Sequence, residues 1–311
     1  MIRIEPNFEL LEKHVEDISK KLISKIKSID KTRLSKETKE CLIYLSNKKE
    51  LKNILSATPK QMQNYIDFFE KYFPNSIGVK NQKEKDWKEL YKILRKEIFV
   101  KEYEAWIKHN RKYEAYSFVK SLNLKSCPYC NRNYTFTVVN ANGKMRPQID
   151  HFYPKSIYPF FAMSFFNLIP SCPSCNHTKK EKFDDKLINP YDIKNDDFRF
   201  TYLPKSVDFL AVEKVRYNFD SFDIDIQGAN KNVEIFQLED LYKQHKDIVL
   251  ELLVKKIYYP KSYIEELEKI FHFTKDEIYR YLLCNYKQEQ DFHKRPLSKL
   301  IKDISQELGL I

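Results

Sequence analysis

The chain has 311 residues, 42% of them apolar and 14% aromatic, and 55 Lys and Arg against 44 Asp and Glu give a formal charge of +11. That apolar content is enough for a buried core, and only four glycines argue against Gly-rich repeats, collagen and a many-turned β sandwich. No run of about 18 apolar residues suggests a membrane span. The start, Met1-Ile2-Arg3-Ile4-Glu5-Pro6-Asn7, lacks the apolar core of an export signal, so a reducing, cytoplasmic compartment is expected.

The spacing of Leu10, Leu11, Val15, Ile18, Leu22 and Ile26 predicts a helix over 7–29, with Lys and Glu on its other face. Residues 36–56 repeat the pattern, and 59–73 read as a helix that starts at Pro59 and stops before Pro74. A long helical stretch is predicted over 82–120. The texture changes at Ser126: eight prolines and four cysteines fall within 126–204. Tyr134 to Val139 is a β-type run, 140–144 a turn, and Arg146 to Phe152 the returning strand. Ser174 to Lys182 reads as a short helix, and alternation within 198–226 predicts strands. Residues 231–259 and 261–290 read as helical, with a break at Pro260.

The charge is uneven: net +10 over 1–125, +4 over 126–190 and −3 over 191–311. A basic front suits a polyanionic partner, because phosphate contacts release counterions. Solvated lysine faces account for it equally well.

Cys127-Pro128-Tyr129-Cys130 and Cys172-Pro173-Ser174-Cys175 form two Cys-x-x-Cys knuckles. Two tight turns presenting four thiolates suit tetrahedral zinc better than a redox pair or buried thiols. A four-cysteine site has no open position, so this zinc is structural. Cys41 and Cys284 lie alone in helical patterns and read as core residues.

Between and just after the knuckles run Asp150-His151-Phe152-Tyr153-Pro154-Lys155-Ser156, then Asn167-Leu168, then Cys172-Pro173-Ser174-Cys175-Asn176-His177-Thr178-Lys179. The order of these residues over 126–190 resembles the HNH endonuclease motif of the ββα-metal nucleases. The resemblance implies that Asp150 and Asn176 hold a catalytic Mg²⁺ or Mn²⁺, that His151 activates water, and that Asn167 orients His151 from the loop. Oxygen ligands suit such hard cations, and an imidazole titrates near neutral pH. Asn176 stands where many members carry His, and His177 beside it competes for the ligand role. Lys179, Lys180 and Lys182 are candidate phosphate contacts, with Arg132 and Lys155 behind them. The aromatics of this stretch suit a small core better than base stacking. His14, His109, His245, His272 and His293 stand in no motif.

After the motif, Leu187 to Asp192, Asp197 to Phe200 and Val233 to Leu238 give a layout loosely similar to the HNH subunits of Septu-type and retron-linked phage defence systems. That likeness implies an ATPase subunit as partner. The expected fold is α+β: a mostly helical chain with a central ββα-metal core stapled by a four-cysteine zinc site. Its expected segments are a helical region over 1–120, the nuclease core over 121–200 and a mixed region over 201–311 that ends in helices. The implied reaction is hydrolysis of DNA phosphodiester bonds, with RNA left open as substrate. The alternative is a non-catalytic zinc module that binds nucleic acid or a protein. No Gly-rich phosphate loop is present, so no ATP site is expected in this chain.

Overall fold

A computed structural model describes residues 1–108, 113–141, 143–206 and 220–310. The fold is α+β, mostly helical, and three two-stranded antiparallel sheets occur among the described residues. No described helix is long and apolar enough to cross a membrane. The chain divides into two compact units whose borders cross the three expected segments. One comprises Glu5–Asn123 and Phe136–Phe183; the other comprises Met1–Ile4, Leu124–Thr135 and Asp184–Ile311.

The first unit begins with α1 (Phe8–Lys27), whose N-cap Asn7 accepts a hydrogen bond from the Leu10 N–H. Its buried stripe of Leu10, Ile18, Leu22 and Ile26 also contains His14. There Tyr113 Oη and the Met163 carbonyl lie 2.8 and 2.7 Å from the two ring nitrogens, and burial lowers the His14 pKa to about 4. The helix expected over 36–56 is two helices, α2 (Lys36–Ser46) and α3 (Lys48–Ser56). Asn47 breaks it, because its side chain caps α3 by accepting from Lys49 and Glu50 N–H groups. Next, α4 (Pro59–Tyr72) starts at its proline, and its Phe69 stacks on Phe160 at 4.0 Å.

The stretch expected to be helical from 82 becomes so later. It runs through α5 (Glu89–Ile93), a π turn (Leu94–Ile98) and α6 (Phe99–Lys108), and α7 (Ala115–Leu122) follows. His109 lies outside the described residues. The β-type run at 134–139 yields only β1 (Val138–Asn140), which pairs with β2 (Gly143–Met145) as an exposed hairpin. The strand expected to return against that run, β3 (Gln148–His151), pairs instead with β4 (Leu168–Ser171). The helix α8 (Pro173–Lys179) follows directly and completes a ββα element.

In the second unit, β5 (Phe198–Pro204) pairs with β6 (Phe222–Gly228); the part of the alternating stretch at 207–219 lies outside the described residues. The helices α9 (Asn230–Ile235), α10 (Leu238–Lys243), α11 (Lys246–Tyr258), α12 (Lys261–Phe271), α13 (Lys275–Leu283) and α14 (Ser298–Glu307) fill the rest. Asp303 of α14 accepts from the Phe200 N–H at 3.0 Å and pairs with the buried Lys299 at 2.8 Å, which ties α14 to β5. Cys41 is buried as expected, but Cys284 is exposed: it sits past the end of α13 with φ +51° rather than on the helix's inner face.

Candidate active site

The first knuckle is a turn closed by backbone hydrogen bonds from Asn131 N–H to the Cys127 carbonyl (2.7 Å) and from Cys127 N–H to the Asn133 carbonyl (2.9 Å). Asn131 takes φ +48°, a conformation that asparagine tolerates better than most residues. Its buried side chain bonds to Ser126, the Phe292 carbonyl, Ser298 and the Lys299 N–H, which fixes the turn from several sides. The second knuckle is the N-terminus of α8. Cys172 is the N-cap, Pro173 is the first helical residue, and the Cys175 N–H points at the Cys172 sulfur (3.5 Å). The Arg132 N–H makes the matching contact to the Cys130 sulfur (3.4 Å). All four sulfurs lie within 4.8 Å of one another, and all four cysteines are buried. Four soft donors so converged fit tetrahedral zinc. No other group of three or more His, Cys, Asp or Glu converges in this way among the described residues.

On β3, alternation sends Gln148 and Asp150 to one side and Ile149 and His151 to the other. The α8 side chains meet the first pair. Asn176 donates to Gln148 Oε1 at 2.6 Å, and Lys179 lies 3.2 Å from Asp150 Oδ2. Asp150 and Asn176 therefore belong to one side of the strand, while His177 is exposed. This placement favours Asn176 over His177 as the companion of Asp150. Lys179 departs from its expected role as a phosphate contact. It is fully buried, and its ammonium also donates to the His151 carbonyl at 2.8 Å. Lys180 and Lys182, by contrast, are exposed. Arg132 donates to His245 Nε2 at 2.8 Å.

His151 is 7% exposed, and its Nε2 lies 3.0 Å from the Ala162 carbonyl oxygen. A carbonyl can only accept, so Nε2 carries the proton and Nδ1 keeps the lone pair. Burial, then the nearby Lys155 charge, holds the imidazole pKa well below its ordinary value, against the pull of the Ala162 bond. The ring is therefore neutral at neutral pH. Its edge-to-face neighbour is Tyr103 of α6, with centroids 4.4 Å apart, and the Tyr103 hydroxyl donates to the Ile149 carbonyl at 3.2 Å.

Asn167 supports this arrangement without touching the imidazole through any of these bonds. Its Oδ1 accepts from the Tyr153 N–H (2.7 Å), and its Nδ2 donates to the Tyr153 and Phe161 carbonyls (3.1 and 2.9 Å). Its own carbonyl accepts from the Phe152 N–H (3.0 Å). The residue thus pins both ends of the loop from β3 to Phe161, and the next residue, Ala162, holds His151. The aromatics of the loop serve as core: Phe160, Phe161 and Phe165 are fully buried.

Sequence reasoning missed Tyr103, which belongs to the N-terminal helices and lies far from the motif in sequence. It also undervalued Lys155, whose only signal is a positive charge within the motif loop.

An antiparallel β pair and a short helix carry Asp150, His151 and Asn176, and Asn167 stands just before β4, so the candidate residues gather on one ββα element. Residues 127–183 match the HNH endonuclease family, which supports an HNH assignment for this segment. No curated protein and no solved structure matches the chain.

Proposed function

We propose that the protein is a metal-dependent endonuclease that hydrolyses DNA phosphodiester bonds, with His151 as the general base. The observation that carries this reading is the His151 tautomer. A neutral imidazole whose Nε2–H is tied to a backbone carbonyl leaves Nδ1 to take a proton from water. Asn167 keeps that carbonyl's loop in place. Asp150 and Asn176 would hold the divalent cation; their oxygens are hard donors on one side of β3, and Mg²⁺ ordinarily completes its shell with waters and substrate phosphate oxygens. When bound, the cation supplies positive charge against the developing phosphorane and the leaving oxygen. The four cysteines would hold a structural zinc, whose closed donor set leaves no place for substrate. Lys180 and Lys182 are exposed at the end of α8 and suit backbone phosphates.

Supercoiled plasmid incubated with Mg²⁺ or Mn²⁺ tests the proposal. Nicking or linearisation by the wild type, lost in His151→Ala with zinc content unchanged, is the expected result. An equally active His151→Ala protein would refute it. The loose likeness of the residues after the motif to defence-linked HNH subunits supports a role in phage defence beside an ATPase. Co-purification from the native host tests that part, and a protein that purifies without a partner would count against it.

A further inference from the structure

Lys155 is half buried in the loop after the Asp150–His151 pair, yet its ammonium forms no hydrogen bond and no ion pair among the described residues. It lies instead over the Tyr103 ring, with Nζ 4.3 Å from the centroid. The edge of that ring meets His151, so a cation and the candidate base flank one aromatic side chain. Burial lowers the Lys155 pKa, and Glu104 and Asp150 work against that shift. A π face compensates a desolvated ammonium only in part. Three N–H donors therefore remain for an anion.

The placement of this lysine is rigid. The Ser156 carbonyl accepts from Tyr91 Oη at 2.5 Å, and the Ile157 carbonyl accepts from the Gly78 N–H at 2.9 Å. Gly78 leaves no room for a side chain, since a Cβ there would stand 2.3 Å from the Ser156 carbonyl oxygen. The same tyrosine binds a second cation. Arg95 donates to Tyr91 Oη at 2.6 Å and lies over the Trp87 ring at 4.6 Å. Arg95 sits on the π turn at Leu94–Ile98, a distortion frequent at functional sites, and like Lys155 it forms no ion pair with a described carboxylate. Its charge is close enough to oppose that of Lys155. Two cations that form no ion pair with a described carboxylate, both held on aromatic faces, suit consecutive phosphates of one strand.

We propose that Lys155 and Arg95 form a phosphate clamp on the nucleic-acid backbone, with Lys155 on the phosphate that is cut and Arg95 on a neighbouring one. The assignment rests on the nuclease reading above. It extends the site beyond the matched segment, to a helix of the N-terminal region. Lys155 is then the group that meets the extra negative charge of the transition state, already oriented before substrate arrives.

The test uses the full chain and a labelled DNA duplex. In the His151→Ala background, which keeps the duplex uncut, affinity is measured against salt with and without Lys155→Ala. Losing one phosphate contact lowers the magnitude of the log–log slope by about 0.9. In the active protein, Lys155→Ala slows single-turnover cleavage by about 10²–10³-fold, and Lys155→Arg keeps the slope and recovers part of the rate. An unchanged slope overturns the clamp whatever happens to the rate, and so does cleavage within about threefold of wild type. If the wild type cuts nothing, the nuclease reading fails separately, and the slope alone decides the clamp.

Discussion

Asn167→Ala is the sharpest probe of how the fold aims His151. Asn167 is fully buried and its side chain makes three hydrogen bonds, one accepted from the Tyr153 N–H and two donated to the Tyr153 and Phe161 carbonyls. The substitution leaves one N–H and two carbonyl oxygens without these partners. A buried group left unsatisfied costs about 1–3 kcal/mol, and the Phe161 carbonyl still keeps the Ser164 N–H. Loop relaxation and entry of water recover part of that, so a net loss of about 3–4 kcal/mol is expected. A domain of about 5–15 kcal/mol stability survives this, so the variant can be purified and assayed. The second effect is on aim. Without the Asn167 bond the Phe161 carbonyl keeps the Ser164 N–H (3.1 Å) but loses its tie to β4, and the adjacent Ala162 carbonyl holds Nε2–H less firmly. A misplacement of about 1 Å costs on the order of 10²-fold in rate. Urea denaturation gives the first number and plasmid cleavage the second, with zinc content as the control for the knuckles. A variant within about 0.5 kcal/mol of wild type that cuts at the wild-type rate would refute the loop-pinning role of Asn167.

Three further outcomes follow from the same structure. Lys179→Met leaves Asp150 buried without its cation and should destabilise the protein by about 3–5 kcal/mol in urea denaturation. Mg²⁺ should raise the melting temperature of this variant more than that of wild type, and an equal response would remove Asp150 from the ligand set. His14 is neutral in the fold with a pKa near 4 against about 6.5 unfolded, so the unfolded chain takes up the proton first as pH falls. The His14 contribution should therefore be full above about pH 6.5 and fall by about 3 kcal/mol down to pH 4; His14→Phe should remove that share of the slope and leave the part due to His151, and a slope unchanged in the variant would refute the assignment. Thiol alkylation of the zinc-loaded protein should modify Cys284 alone; chelation should add Cys127, Cys130, Cys172 and Cys175, and only unfolding should add Cys41, as read by mass spectrometry.

The site was legible in the sequence where chemistry and local geometry demand fixed residue types at short spacing. Two knuckles and an Asp-His pair are such patterns, and their positions survive into the fold. Strand pairing was not legible. The run from Tyr134 to Val139 has the stronger β composition, yet Gln148–His151 pairs with Leu168–Ser171, which contains Pro170. Strand propensity measures fit to a half-buried sheet, and the 134–139 run finds only an exposed hairpin. A proline is also tolerated in a two-stranded sheet, where every strand is an edge.

Lys179 shows what helical geometry could have added. Cys175 and Lys179 stand four residues apart, so they share one face of α8, and a buried cysteine there draws the lysine inward with it. Composition alone groups Lys179 with Lys180 and Lys182. Periodicity separates it, and the separation has a chemical consequence, because the inward lysine neutralises Asp150 while the outward ones stay with solvent. Tyr103 and Arg95 lie beyond any such argument: neither belongs to a motif, and only the packing of the N-terminal helices within the same compact unit brings them to the loop of Lys155. A chain cut down to the matched segment would therefore keep Asp150, His151 and Asn176 but lose the aromatic ring that holds Lys155. The expected result is a protein that retains zinc without wild-type cleavage.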